Sequence, residues 1–508
     1  MFQTAELGQK VTKHDFKERE LELRTELLAL QQKLLKLGSF PVLIDFAGVR
    51  GAGKGSSASL LNKWMDARQI DTYGYHARSE EESEWPVFWR YWRDLPANGR
   101  IGIFLSGRYS RPMLDFVYGN IDQQEFYLRL KRIIRYEKLL ADDGALIQKF
   151  WMHISREVQE TRLKKLENDP LRNWRMSDKD WKHWELYDRF IEAAEDAISQ
   201  TNTGHAPWQI IEGEDFNYRS LRMGEVVRNA LERHLKTIKL RRKYQKELSR
   251  QLDEEESASE STGQLTIMDG LDMSKNLLKG KYRKSLKQAQ DRLGGLYQQA
   301  IQNKLSCILV FEGPDAAGKG GSIRHITEPL DARFYKVFQF AAPTDEELAH
   351  HYLWRFWRCI PRVGRLTIFD RSWYGRVLVE RVEGFAKSNE WRRAYAEINE
   401  FEEQLIENGI VLLKFWIHIS AEEQLARFEA RQKIPHKQWK LTEEDWRNRD
   451  KWDDYAKAAH DMIQHTSKKT SPWILVENDN KHYGRIKVLN AVCDALENAI
   501  DNQPEAVS

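Results

Sequence analysis

The stretch Phe311 to Ser322, FEGPDAAGKGGS, contains Gly313-x-x-x-x-Gly318-Lys319. These are the residue types that cradle a phosphate. Glycines let successive backbone N–H groups curl around the anion, and a helix starting at the lysine adds positive potential. Lys319 supplies a point charge. Gly313, Ala316, Ala317, Gly318 and Gly320 are the candidate phosphate contacts of the loop. The plainer alternative is a strand-to-helix turn with an incidental lysine. The usual Ser or Thr after the lysine, whose hydroxyl holds Mg²⁺, is replaced by Gly320. A divalent cation must then find its oxygen ligands elsewhere. Asp315 lies inside the loop and Asp370 ends the apolar run LTIFD. Singly, one is an ordinary turn former and the other a helix cap. Together, beside such a loop, they form a candidate site for Mg²⁺, with Mn²⁺ as an alternative.

Such a loop works only where a strand ends and a helix begins. In the second half, short apolar runs (CILVFEG, YKVFQF, LTIFD, VLLKFWIHIS, WILVEN) alternate with longer amphipathic stretches. The first half repeats this with FPVLIDFAG, TYGYHA, IGIFLS, LIQKFWMHIS and WQIIEG. Continuous apolar runs between helical segments predict an α/β fold, a parallel five-stranded sheet covered on both faces by helices. Each half also begins with an amphipathic stretch, FKERELELRTELLALQQKLLKLG and YRKSLKQAQDRLGGLYQQAIQNK, expected to be a helix outside the sheet.

The halves are copies. Gly48 and Gly313 lie 265 residues apart, and the same offset joins Lys54 to Lys319, Trp89 to Trp354, Trp151 to Trp416 and Trp208 to Trp473. A period this long predicts two fused domains rather than a solenoid. The expected boundaries are residues 1–245, an acidic, Ser-rich flexible linker over 246–265, and residues 266–508. The first copy serves as an internal control. Arg50 stands at the position of Asp315, Leu105 at that of Asp370, Ser106 at that of Arg371 and Leu166 at that of Arg431. Both proposed metal carboxylates are gone, and a cationic Arg50 would repel Mg²⁺. The first domain is expected not to run metal-assisted chemistry. It keeps Lys54, Arg90, Arg93, Arg111, Arg162, Arg172 and Arg175, so it either binds a polyanion or buttresses an oligomer.

Composition sets the wider limits. The 508 residues exceed the roughly 250–300 that one core supports. A formal charge of +3, from 80 basic and 77 acidic residues, gives no ground for nucleic-acid binding. The scattered Cys307, Cys359 and Cys493 form neither metal-ligand spacing nor a disulfide framework, as expected in a reducing cytoplasm. No signal peptide is expected, and no apolar run approaches the roughly 20 residues that span a bilayer. A homo-oligomer is left open.

The motifs GPDAAGKGG, APTDEELAHHYLWRFW, GRLTIFDRSWYGRVLVERV and PHKQWKLTEEDWRNRDKWDDY resemble the polyphosphate kinase 2 family, and the duplication matches its two-domain members. The resemblance covers nearly the whole chain. It implies two tandem P-loop kinase domains like thymidylate kinase, each with a helical lid. It implies transfer of the terminal phosphate of inorganic polyphosphate to AMP, giving ADP with Mg²⁺, in the second domain. On this resemblance Asp315, Lys319, Asp370 and Arg371 match the loop and the DRS motif. Arg376 and Glu380 fall in the segment that follows, and Arg431, Lys437 and Lys440 in the lid.

Read as chemistry, Lys319 and the loop amides take the donor phosphates, and Asp315 and Asp370 hold the metal. Arg371 and Arg376 clamp the acceptor phosphate, where a guanidinium's planar fork is useful. Arg431 closes over the reacting groups. Trp439, Trp446 and Trp452 are expected in the core. Arg355, Arg358, Arg362 and Arg365 precede the LTIFD strand, and some of them, with Arg358 the named candidate, are expected along a polyphosphate channel. Two rivals remain at this point: an ATP-dependent nucleoside monophosphate kinase, and a non-catalytic polyphosphate-binding scaffold.

Overall fold

The computed structural model describes residues 1–171, 173–176, 178–259, 266–433 and 442–502. Arg172, Lys437, Trp439 and Lys440 lie outside the described residues, as do residues 260–265 of the expected linker.

All ten apolar runs become strands. In the first half these are β1 (Val42–Gly48), β2 (Ile70–Gly74), β3 (Ile101–Leu105), β4 (Leu146–His153) and β5 (Trp208–Glu212). In the second half they are β6 (Ser306–Glu312), β7 (Tyr335–Gln339), β8 (Leu366–Asp370), β9 (Ile410–His418) and β10 (Trp473–Glu477). Each set forms a five-stranded sheet, ordered β2-β3-β1-β4-β5 and β10-β9-β6-β8-β7, with every pairing parallel. The strand that feeds the glycine loop is central in both. A central parallel strand is covered on both faces, which is why β6 is buried throughout. The helices Lys13–Leu37 and Lys279–Gln302 are the expected outer ones.

Two expectations change. The helix Phe216–Ser259 runs through most of the stretch read as a flexible linker. Its glutamates are good helix formers, and Arg250 pairs with Glu247 one turn away at 3.1 Å. Nor do the compact units follow the two halves strictly. One unit comprises Met1–Arg78, Asp94–Tyr244 and Leu348–His351, and the other Ser79–Arg93, Gln245–Glu347 and Tyr352–Ser508. Within the second unit Trp92 stacks on Trp357 with centroids 5.8 Å apart, and Val363 donates its N–H to the Glu84 carbonyl at 3.1 Å. No helix among the described residues is long and apolar enough to cross a membrane.

One buried polar network recurs in both units. Lys414 pairs with Glu402 at 2.7 Å and donates to the Tyr374 hydroxyl at 3.1 Å and the Thr466 carbonyl at 2.7 Å. Lys149 repeats this with Glu137 at 2.8 Å, Tyr109 at 2.8 Å and the Thr201 carbonyl at 2.8 Å. A buried ammonium is tolerable only with its hydrogen bonds satisfied. Both networks tie the loop after the third strand of the unit to the rest of the core. In the first unit Arg108 replaces the buried Trp373, and Asp45, 2.5 Å away, replaces Val310.

Candidate active site

The C-terminal ends of β6 and β8 lie side by side, with Phe311 paired to Asp370. After β6 the chain turns through Gly313, where φ is +142° and a Cβ would sit 2.3 Å from the Ile417 carbonyl oxygen. Only glycine fits there. The loop closes at Gly318, φ +108°, which caps the helix Lys319–Thr327. Lys319 curls back over the loop and donates to the carbonyls of Gly313 at 2.6 Å and Pro314 at 3.2 Å. Beneath the loop Arg427, from the helix Ala421–Lys433, donates to the carbonyls of Ala316 and Ala317, both at 2.9 Å. Its other nitrogen reaches the carbonyls of Asn478 and Asp479. This guanidinium fixes the curl of the loop from behind.

The two proposed carboxylates are differently placed. The Asp315 Oδ1 accepts from Arg371 Nη2 at 2.9 Å, and its Oδ2 accepts from Asn448 Nδ2 at 2.8 Å. Burial alone would raise this carboxyl, but Lys319, Arg371 and Asn448 outweigh it and hold it below the ordinary carboxylate range. Asp315 is therefore an anion at neutral pH. Asp370 ends β8 half-buried. Its backbone carbonyl binds the Phe340 N–H at 3.2 Å, and among the described residues its carboxylate takes no side-chain partner.

Arg371 follows with φ +65°, in the left-handed region. Arg376 and Glu380 come together, but as an ion pair at 3.0 Å, with the guanidinium 4.5 Å from the Tyr352 ring centroid. Arg431 stands in the last turn of the helix Ala421–Lys433, one turn beyond Arg427. Arg358 is exposed, pairs with Glu346 at 3.4 Å and lies over the Trp354 ring. Trp446 and Trp452 are half-buried rather than core; Trp446 meets Phe428 edge-on at 5.1 Å.

The first unit keeps the scaffold and changes the charges. Lys54 curls onto the carbonyls of Gly48 at 2.5 Å and Val49 at 3.0 Å, and Arg162 grips the Gly51 carbonyl at 2.7 Å as Arg427 grips its own loop. Ser106 keeps the positive φ of Arg371, at +54°. Arg50, however, pairs with Asp180 at 2.9 Å. Burial, then the Arg50 charge, pushes the Lys54 ammonium down to about 7.

Glu312, Asn448 and Arg427 were not singled out from the sequence. Arg427 did leave a signal, because an arginine recurs 265 residues earlier at Arg162. Glu312 reads as the end of a strand, and Asn448 is one polar residue in a charged helix.

Comparison with known proteins gives one consistent result. The family model for polyphosphate kinase 2 matches residues 10–239 and again 276–504. A polyphosphate:AMP phosphotransferase of Pseudomonas aeruginosa is 45% identical over 98% of this chain and 99% of its own length. Those of Pseudomonas syringae and Acinetobacter johnsonii are 43% and 34% identical over 98% and 94% of this chain, and 99% and 96% of their own. The crystal structure of a polyphosphate kinase 2 from Pseudomonas aeruginosa superposes with a TM-score of 0.87 at 43% identity, covering 99% of this chain and 100% of that one.

Proposed function

This chain belongs to the polyphosphate kinase 2 family, and on that premise we propose that its second half transfers the terminal phosphate of inorganic polyphosphate to AMP, forming ADP. The observation that carries the reading is the convergence of Lys319, Asp315, Asp370 and Arg371 at one sheet edge, in the half that keeps all four.

In the reaction a phosphate oxygen of AMP attacks the terminal phosphorus of polyphosphate. A new P–O bond forms to AMP, the terminal phosphoanhydride bond breaks, and its electron pair leaves with the bridging oxygen on the shortened chain. The nucleophile is already anionic near neutral pH, so no strong general base is needed. What the protein must supply is positioning and charge neutralisation. The loop amides and Lys319 receive donor phosphates at the helix N-terminus. In this reading Arg371, which pairs with Asp315, holds the acceptor phosphate, and Arg431, in the last turn of the helix Ala421–Lys433, neutralises developing charge.

Two carboxylates beside a phosphate cradle would repel the substrate unless a cation intervened. Asp315 and Asp370 are oxygen donors suited to Mg²⁺, which is held by one or two carboxylates with substrate phosphates and water completing its shell. Among the described residues no cluster of three or more metal-ligating side chains offers a protein-only cage. Bound there, Mg²⁺ would neutralise phosphate charge and align the reacting oxygens.

The first half, with Arg50 tied to Asp180 and Leu105 in place of Asp370, is assigned no transfer activity. The test of the whole reading is ADP formation from AMP, Mg²⁺ and polyphosphate with no ATP present. Absence of ADP, or full activity in Asp370→Asn, would overturn it.

A further inference from the structure

Arg371 holds a backbone conformation that a side chain other than glycine adopts only when its surroundings impose it, at φ +65°. Its N–H donates to the Phe311 carbonyl at 3.1 Å, which fixes one side of the residue. The other side is fixed by Glu312, the last residue of β6 and 4% exposed. The Glu312 Oε1 accepts from both the Ser372 N–H and the Ser372 Oγ–H, each at 2.8 Å. Ser372 Oγ in turn accepts the Tyr374 N–H at 3.3 Å, so one buried carboxylate anchors the start of the turn Trp373–Arg376.

The duplicated half shows what this brace is not for. Ala47 and Gly107 stand at the positions of Glu312 and Ser372. The backbone bend nevertheless survives, with Ser106 at φ +54°. The bend therefore does not need the brace. The carboxylate and serine occur where the bend carries an arginine that must meet Asp315, and they are absent where it carries a serine. Burying a carboxylate has its own cost: desolvation raises the Glu312 carboxyl, with Ser372, Lys319 and Arg371 pulling it back.

We infer that Glu312 is a positioning residue for phosphoryl transfer, acting through Ser372 to aim Arg371 and the preceding Asp370 at the reacting phosphates. The inference rests on the activity proposed above. Glu312 itself touches no substrate. Its role is to restrict the arginine to the one approach in which it reaches Asp315.

The test uses the full chain and three variants. Glu312→Ala is expected to lower kcat by about ten- to a hundredfold, with the KM for AMP within threefold of wild type. Glu312→Gln keeps an acceptor oxygen for Ser372 and is expected to retain at least a third of wild-type kcat. Ser372→Ala, the variant to use if Glu312→Ala fails to fold, is expected to lower kcat by about tenfold. In crystals of Glu312→Ala or Ser372→Ala, Arg371 is expected to leave its 2.9 Å contact with Asp315, a readout independent of donor and acceptor. Wild-type kcat in Glu312→Ala or Ser372→Ala overturns the inference, as does a Glu312→Gln as impaired as Glu312→Ala, or an unmoved Arg371. A wild-type chain that makes no ADP from polyphosphate sinks the activity instead and leaves the Arg371 displacement to decide the brace.

Discussion

Arg371 Nη2 lies 2.9 Å from Asp315 Oδ1, joining the end of β8 to the phosphate loop, and the first half has neither partner, holding Ser106 and Arg50 instead. An arginine can keep this carboxylate and present its remaining N–H groups to a phosphate, which an ammonium cannot do with the same geometry. Arg371→Lys is therefore expected to lower kcat by about ten- to a hundredfold while the chain folds normally. Steady-state rates together with the melting profile check this.

Asp370→Asn is expected to reduce turnover by on the order of a hundred- to a thousandfold and to raise the Mg²⁺ concentration needed for half-maximal rate. The same substitution should barely alter polyphosphate binding, because Lys319 and the loop amides are untouched. Rate measurements across a magnesium series, with polyphosphate retention measured alongside, separate the two effects.

Asn448 connects the helix Glu443–Asp450 to the loop through Asp315 Oδ2, and its own oxygen accepts from Tyr455 at 3.3 Å. Asn448→Ala should cost about tenfold in kcat. Asn448→Asp should be worse than alanine, since a second carboxylate beside Asp315 repels it and favours protonation of one of the pair. An aspartate variant at least as active as the alanine variant would count against the contact.

The repeated buried networks allow a paired experiment. Lys414→Met leaves Glu402 buried without its cation, expected to cost about 3–5 kcal/mol in the unfolding transition of its unit, whereas Lys149→Met leaves Glu137 with Arg108 at 3.8 Å and should cost less. Lys414→Met should also depress kcat, because Tyr374, which Lys414 holds at 3.1 Å, lies three residues after Arg371, whereas Lys149→Met should leave kcat of the folded enzyme near wild type. Denaturant unfolding and activity of the two variants give the comparison.

Lys54 provides a pH signature for the first half. Its folded pKa is pushed from 10.5 down to about 7, so between those values the unfolded chain binds more protons than the folded one. Wild-type stability of this unit should rise with pH across that window, whereas Lys54→Met should lack that component. Parallel stability profiles for the two proteins between pH 7 and 10 would contradict the burial of this ammonium.

Much of this architecture was legible because parallel strands buried on both faces leave continuous apolar runs, and a duplication in register marks equivalent positions. Lys319, Asp315, Asp370 and Arg371 were legible for the same reason, being residues that the second copy keeps or gains against the first. Glu312 and Asn448 were not, since their meaning lies in what they touch across 60 and 133 residues of chain. The helix through Ser259 was misjudged because an acidic, Ser-rich composition serves a solvated helix as well as a coil. Arg358 was picked out because it sits among arginines, and its pairing with Glu346 could not be read from the sequence.

Arg427 and Arg162 grip main-chain carbonyls of their loops, so the curvature of each loop is maintained by a guanidinium behind it. Shape and reactivity are thereby inherited separately. The residues around the loop can change without loss of its bend, as Arg50, Leu105 and Ser106 show in the first half. The first half's loop, bent as in the second, is thereby a scaffold on which two acids and an arginine can be introduced, a more tractable engineering problem than building such a loop anew.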